Sequence, residues 1–150
     1  MTGWTNPRYR REQTVSPIQS ATGGGASPYR LGYAFEISCK GILERRDWLV
    51  IRSPASKSKV DLFAIHALYR PMLVQAKRTG MIGSAEWNEL WEIAERHNCL
   101  AVITYRETPK TIAWMRLDGP REPRRPGRPW TRIDPRDCQP VAVQTELLAA

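Results

Sequence analysis

Residues 60–77 read VDLFAIHALYRPMLVQAK, and this stretch decides how the fold is interpreted because it contains two short apolar strands joined by a bend. Side chains two apart in a strand share a face, so Gln75 and Lys77 project from the same side of the second strand. If the two strands pair as a hairpin, Asp61 lies beside them. Burying polar groups without partners is costly. Asp61, Gln75 and Lys77 therefore either bind a metal together or lie exposed at the edge of the sheet.

A helix is predicted on the N-terminal side of this stretch. Ser27-Pro28 is a good helix start, with serine as the N-cap and proline in the first turn. The apolar residues Leu31, Phe35, Cys39 and Ile42 then recur at helical spacing. Glu36 lies beside this stripe, so its carboxylate can reach the rim of a core or cleft.

The other predicted elements place the stretch in an α/β fold. They are a strand at 47–53, a polar basic loop at 54–59, strands at 60–66 and 72–77, a helix capped by Ser84 with an apolar face formed by Trp87, Leu90, Trp91 and Ala94, and strands at 100–105 and 111–117. The order α-β-β-β-α-β-β predicts a central mixed β-sheet flanked by helices.

Both ends of the chain differ in composition from this core. Residues 1–28 are predicted to be a flexible basic arm, 29–118 the α/β domain, and 119–150 a tail rich in proline and arginine. Proline is so frequent after Gly119 that we expect neither a helix nor a strand ladder to persist there.

The net charge is +8, and most of the excess lies in the flanking segments. Basic flanks favour a polyanion, most commonly nucleic acid, whereas the alternative is a protein with solvated basic tails. Charge alone does not distinguish DNA from RNA or from an acidic membrane surface. No apolar run approaches the roughly 20 residues that span a bilayer, and no secretory signal is visible. Three widely separated cysteines lack zinc-ligand spacing and suit a reducing cytoplasm.

The candidate site residues suit phosphodiester hydrolysis. A hard divalent cation promotes this reaction by Lewis acidity and by lowering the pKa of bound water, and Mg²⁺ is held by oxygen ligands, often one or two carboxylates. Asp61 and Glu36 supply carboxylates and Gln75 an amide oxygen, while Lys77 would orient water or offset phosphate charge. Glu86, at the start of the second helix, is a reserve candidate.

These residues resemble the PD-(D/E)xK nuclease signature, and more closely the archaeal-type Holliday junction resolvases and their phage relatives. There, a helix bearing a glutamate precedes a strand ending in Arg-Ser, a loop of small residues, and the aspartate. The corresponding segments of this sequence are Phe35-Glu36, then VIRSPAS at 50–56, then Val60-Asp61-Leu62. The resemblance covers about residues 29–117. Val60 stands where the family often has proline, and Gln75 replaces the usual acidic ligand.

The resemblance implies a restriction-endonuclease-like core and a magnesium-dependent endonuclease, with Mn²⁺ as a substitute, that cuts branched DNA as a homodimer. It assigns catalysis to Glu36, Asp61, Gln75, Lys77 and Ser56, and the metal to the first three. Metal affinity should be lowered by the missing charge at residue 75 unless Glu36 or Glu86 compensates. We also expect DNA to be bound by Arg8, Arg10, Arg11, Arg30, Arg52, Ser53, Lys57, Lys59 and Arg78.

Other functions remain open at this point. One alternative is an exonuclease or flap or fork repair nuclease of the same fold, since fold does not fix function. Another is a non-catalytic nucleic-acid-binding protein with basic arms, which the glutamine at residue 75 favours. In each case we expect no membrane association, no cofactor beyond a divalent metal, and a cytoplasmic location in a bacterial or phage-infected cell.

Overall fold

The first helix begins where Ser27 and Pro28 predict it, in a computed structural model that describes residues 25–54, 58–122 and 129–138. Helix α1 spans Pro28–Glu44, and the Ser27 side chain accepts a hydrogen bond of 3.3 Å from the backbone N–H of Arg30. Its buried residues are Phe35, Cys39 and Leu43. The buried stripe is therefore shifted from the predicted one, because Leu31 and Ile42 are only partly buried.

The remaining elements confirm an α/β fold with a mixed sheet. In chain order they are β1 (Leu49–Arg52), β2 (Leu62–Ile65), β3 (Met72–Ala76), α2 (Ser84–Arg96), β4 (Leu100–Thr108), β5 (Thr111–Leu117) and β6 (Trp130–Ile133).

The six strands form one sheet in the sequential order β1-β2-β3-β4-β5-β6. All neighbours are antiparallel except β3 and β4, which are parallel. A parallel connection needs a crossover, and α2 provides it. The predicted hairpin is confirmed, since Leu62 pairs with Val74 in the β2–β3 register. This register brings Asp61, just before β2, next to the end of β3.

Each face of the sheet carries its own apolar core. On one face, α1 packs against β1, β2 and β3 around Phe35, Cys39 and Leu43. On the other face, α2 packs against β3 and β4 through its buried residues Trp87, Leu90 and Ala94. Because successive residues of β3 face opposite sides, Val74 belongs to the α1 core and Leu73 to the α2 core.

Two sequence predictions are wrong. Past Gly119 we expected no strand ladder, but β6 pairs antiparallel with β5, with Trp114 opposite Ile133. Here the buried partner strand outweighs the local proline content, and the pairing starts only after the Pro-Arg run. The N-cap of α2 is Gly83 rather than Ser84, which is already helical, and no side chain in the described part of the chain caps the start of this helix.

Within the described part of the chain, none of the helices has the length and apolar character needed to cross a bilayer. The predictions for the N-terminal arm up to residue 24 and for residues 139–150 lie outside the described residues.

Candidate active site

A cleft of about 390 Å³ opens where β3 ends. Its walls come from α1, from the segment that precedes β2, from β3 with the residue that follows it, and from α2. The lining residues are Glu36, Ser58, Lys59, Asp61, Gln75, Ala76, Lys77 and Glu86. The structure therefore brings Glu36, Asp61, Gln75 and Lys77 to one place, although 41 sequence positions separate the first from the last.

Asp61 is fixed by the backbone of β3. Its Oδ2 accepts a hydrogen bond of 2.7 Å from the N–H of Ala76, and its own N–H donates to the carbonyl of Val74 at 2.9 Å. Oδ1 has no hydrogen-bond partner among the described residues. Burial raises the pKa of the Asp61 carboxyl, opposed by the Ala76 hydrogen bond, and the negative charge of Glu36 raises it further. A cation in the cleft would relieve both costs of keeping this carboxylate ionised.

Gln75 is the most unusual polar residue of the sheet. Its side chain is only 5% exposed, and its Oε1 is buried without a hydrogen-bond partner among the described residues. Leaving a buried carbonyl oxygen unsatisfied costs about 1–3 kcal/mol. Gln75 lines the same cleft as Glu36 and Asp61, and an unsatisfied amide oxygen is suited to accept a cation instead of a hydrogen bond.

Glu36 reaches the cleft from α1 and is held by an arginine. The Nε of Arg52, at the end of β1, donates to Oε2 of Glu36 at 2.8 Å, and both side chains are partly buried. The Arg52 guanidinium also lies over the ring of Tyr33, 4.6 Å from its centroid. Oε1 of Glu36 has no hydrogen-bond partner within the described ranges. The arginine thus orients Glu36 and leaves one of its oxygens for a ligand.

Lys77 is positioned by its backbone and by Glu86. Its N–H donates to the carbonyl of Thr104 on β4 at 2.8 Å, which anchors the residue just beyond the end of β3. Its Nζ lies 3.2 Å from Oε1 of Glu86 on α2. The positive charge of Lys77 favours the ionised Asp61 carboxylate and so partly offsets the rise in the pKa of Asp61.

The donor set fits a hard divalent cation. Among the described residues, no three His, Cys, Asp or Glu side chains form a group that could hold a metal. The oxygen-bearing side chains that line the cleft are those of Glu36, Ser58, Asp61, Gln75 and Glu86. Mg²⁺ and Mn²⁺ prefer oxygen ligands and often take only one or two protein carboxylates, keeping several waters.

The neighbouring thiol of Cys39 is not suited to act as a nucleophile. Cys39 lies on α1 and is fully buried, with its Sγ 3.4 Å from Oγ1 of Thr104. Burial raises the pKa of the Cys39 thiol to about 11. The thiolate form needed for nucleophilic attack or metal binding is therefore disfavoured.

The other predicted DNA-binding residues differ in position, where the structure describes them. Arg8, Arg10, Arg11 and Lys57, and the predicted catalytic residue Ser56, lie outside the described residues. Lys59 lines the cleft and forms an ion pair of 3.3 Å with Glu89 on α2. Arg30 is exposed in the first turn of α1, and the N–H of Ser53 donates to the carbonyl of Asp61 at 2.8 Å. Arg78 follows Lys77, and its carbonyl accepts from the N–H of Arg106.

The sequence patterns did not predict three features of the cleft. The Glu36–Arg52 pair was missed because no local pattern relates a helix residue to a strand end 16 positions later. Sequence spacing also did not indicate that the N–H of Ala76 would fix Asp61, or that Ser58 would line the cleft. Glu86, in the first turn of α2, was a reserve candidate because it follows the strand bearing Lys77 most closely along the chain.

No protein-family model and no curated protein matches this chain. The resemblance to junction-resolving nucleases therefore depends on the quoted motifs and on how well the cleft suits that chemistry.

Proposed function

We propose that this chain is a metal-dependent, structure-selective DNA endonuclease that hydrolyses phosphodiesters in four-way junctions or other branched DNA. The observation that carries the proposal is the cleft in which Glu36, Asp61, Gln75 and Lys77 meet, with the Oε1 of Gln75 buried and unpartnered. Acidic and amide oxygens beside a lysine are what metal-assisted phosphodiester hydrolysis requires.

The sheet topology supports the finer proposal of a restriction-endonuclease-like core. Strands β1, β2 and β3 are antiparallel neighbours, and β4 is parallel to β3 after the α2 crossover. The helices α1 and α2 pack on opposite faces. This arrangement agrees with the resemblance to the PD-(D/E)xK nucleases, in which the aspartate precedes one strand and the lysine lies at the end of the next.

The residues of the cleft have separable tasks. Glu36, Asp61 and Gln75 would hold Mg²⁺ or Mn²⁺, which when bound supplies Lewis acidity and lowers the pKa of bound water. Ala76 and Arg52 fix the two carboxylates, so little reorganisation is needed on binding. Lys77 carries the positive charge that would offset the growing negative charge of the phosphate.

The overall charge supports a nucleic-acid substrate. The chain carries a net charge of +8, so its affinity for DNA should fall steeply with salt. A homodimer with two-fold symmetry would present two such clefts to the two strands of a roughly symmetric junction. We place this activity in the cytoplasm of a bacterial or phage-infected cell.

A second candidate function is non-catalytic binding of nucleic acid. It is favoured by the ion pairs that already engage two of the site residues, Glu36 with Arg52 and Lys77 with Glu86. An exonuclease or a flap or fork nuclease is the other alternative, because the same cleft chemistry would serve those substrates.

The test compares the native chain with Lys77→Ala on labelled four-way junctions, forks and linear duplexes, with Mg²⁺ and with chelator. Lys40→Ala is the matched control, because Lys40 pairs with Glu44 on the exposed side of α1 and does not line the cleft. We expect paired nicks in the junction that require metal, a loss of about 10²–10³-fold in rate for Lys77→Ala, and native rates for Lys40→Ala.

Other outcomes would replace the proposal. Cutting that starts from linear ends would show that the protein is an exonuclease. Preferred cutting of forks would show that it is a flap or fork nuclease. Tight binding of all three DNAs without any metal-dependent cutting would assign the non-catalytic function.

A further inference from the structure

Two exposed tyrosines lie in the first two turns of α1. Tyr29 is 74% exposed and Tyr33 is 45% exposed. Among the residues that the structure describes, no other Tyr, Trp or Phe side chain is as exposed. The exposed aromatic surface of the described chain is therefore concentrated at one place.

The helix places these rings in line with Glu36. Residues three or four apart lie on the same side of a helix, so Tyr29, Tyr33 and Glu36 form one row along α1. Tyr33 precedes Glu36 by about 4.5 Å along the helix axis, and Tyr29 precedes it by about 10.5 Å, at 1.5 Å of rise per residue. Because the Glu36 side chain lines the cleft, the row of tyrosines begins at the cleft.

Tyr33 is linked to the cleft by Arg52. The Arg52 guanidinium lies over the Tyr33 ring, 4.6 Å from its centroid, and the Nε of the same group donates to Glu36 at 2.8 Å. The pKa of Arg52 is raised first by that hydrogen bond, and further by the charge of Glu36, by Tyr33 and by Tyr29, so Tyr29 also lies near the guanidinium. Contacts thus run from Glu36 through Arg52 to a ring that is open on the side that Arg52 does not cover.

Charge does not make this part of the protein attractive to a polyanion before a metal binds. The charged side chains that line the cleft, together with their ion-pair partners, are four carboxylates and three cationic groups: Glu36, Asp61, Glu86, Glu89, Arg52, Lys59 and Lys77. Arg30, exposed in the first turn of α1, only brings the two signs level. Affinity for a nucleic acid at the cleft therefore needs contacts other than ion pairs, and an open aromatic ring provides one.

We propose that Tyr33, with Tyr29 beside it, stacks against a nucleobase of the DNA strand whose phosphate lies in the cleft. Proteins hold single strands by stacking bases on aromatic side chains, and every base has a π-face whatever the sequence. In a continuous duplex the neighbouring bases cover each base face, so only a base left unstacked at a branch point or in an unpaired segment can reach the ring. The proposal rests on the proposed nuclease function and gives a physical basis for its preference for branched DNA.

The spacing suits a nucleotide close to the phosphate in the cleft. Successive nucleotides of one stacked strand lie about 3.4 Å apart, and Tyr33 is about 4.5 Å from Glu36 along α1. The base on Tyr33 would therefore belong to a nucleotide one or two positions from that phosphate. Since Arg52 contacts the ring before DNA binds, little freedom of the Tyr33 side chain is lost on stacking.

The test compares two probes that differ only in their bases. One is an oligothymidylate of about 12 nucleotides, and the other is an abasic deoxyribose-phosphate oligomer of the same length. Binding is measured with chelator, and again with Mg²⁺ in the Lys77→Ala background, in which cutting is slow. Tyr33→Ala should weaken binding of the oligothymidylate about 5- to 150-fold, the range for one stacked base, and should leave binding of the abasic oligomer unchanged.

Two further variants separate stacking from other effects of the substitution. Tyr33→Phe keeps the ring and should bind the oligothymidylate as the native chain does. Ile37→Ala is the matched control, because Ile37 is 41% exposed one turn further along α1 and carries no ring. It should leave the affinity for both oligomers unchanged.

Several results would overturn the proposal. Equal losses of affinity for the two oligomers in Tyr33→Ala would show that no base is involved. Binding of the oligothymidylate that is as weak in Tyr33→Phe as in Tyr33→Ala would exclude stacking, as would native binding of the oligothymidylate no tighter than that of the abasic oligomer. A Tyr33→Ala protein that binds both oligomers normally but sediments at a lower mass than the native chain would show that the tyrosines form a protein interface instead.

These outcomes are distinct from failure of the proposed function. If the native chain cuts no DNA, the nuclease proposal fails, while a loss of affinity confined to the oligothymidylate in Tyr33→Ala still stands. If the junction is cut but Tyr33→Ala binds both oligomers normally, only the stacking proposal fails.

Discussion

Replacing Gln75 with methionine should stabilise the protein without metal and abolish its response to metal. The Oε1 of Gln75 is buried with no hydrogen-bond partner among the described residues. Its desolvation costs the folded state about 1–3 kcal/mol, and methionine has a similar shape without the amide. For a chain of this size each kcal/mol raises Tm by about 2–4 °C. Gln75→Met should therefore melt above the native protein when a chelator is present.

Metal should reverse this order. Binding of Mg²⁺ to the folded state stabilises it by about 2.7 kcal/mol at a concentration of 100 times Kd. The native chain should gain this stability in thermal melts, whereas Gln75→Met, lacking the amide oxygen, should gain little. Activity should be lost along with the shift, which is the common cost of stabilising a functional site.

Thr104→Val is the matched control for this experiment. Thr104 is the other buried polar residue of the described sheet, but its Oγ1 contacts the Sγ of Cys39 at 3.4 Å. Its removal should cost about 0.5–1.5 kcal/mol rather than stabilise the protein, and should leave the metal-dependent shift in place. A Gln75→Met protein that melts below the native chain in chelator, or that keeps the full Mg²⁺ shift, would refute the reasoning.

Three further predictions concern the helix start and the charges of the cleft. Ser27→Ala should cost about 0.5–2 kcal/mol in urea unfolding because the N-cap hydrogen bond is lost, whereas Ser38→Ala, on the exposed face of the same helix, should stay within about 0.5 kcal/mol of the native value. Burial raises the pKa of Asp61 above its usual value, so the folded state holds its proton to higher pH than the unfolded state and stability falls as the pH rises through the native pKa. Asp61→Asn should accordingly be the more stable protein at about pH 7 in chelator, with the difference shrinking towards about pH 4; a difference independent of pH would contradict this assignment. Glu86→Gln should tighten DNA binding and steepen its salt dependence, because Lys77 loses its 3.2 Å partner and the cleft loses a negative charge; unchanged binding isotherms would show that Lys77 does not face DNA.

Much of the architecture follows from local sequence patterns. The two short apolar runs within 60–77 predict a hairpin, and its register is specified because a slip by one residue would move every side chain to the other face. Ser27-Pro28 determines where α1 begins, and the periodic apolar residues of α2 determine which side it buries. These features depend on side-chain period and capping, which act within one or two turns of the chain.

The candidate site was predicted only as a set of residue types. Asp61, Gln75 and Lys77 are linked by the hairpin, so their proximity follows from the strand pattern. The two helices pack on opposite faces of the sheet, and this packing brings Glu36 to the cleft. It also forms the ion pairs of Glu36 with Arg52 and of Lys77 with Glu86.

The sequence by itself determined the order of the elements from α1 to β5, the start of α1 and the polar residues at the end of β3. Only the tertiary structure decided that β6 joins the sheet, because a strand ladder there depends on the free edge of β5 rather than on the composition of residues 119–150. It also decided that the Gln75 amide oxygen is left without a partner, since burial is a property of the assembled sheet. Local preferences are short-ranged, whereas burial and pairing between distant segments arise only when the whole chain is packed.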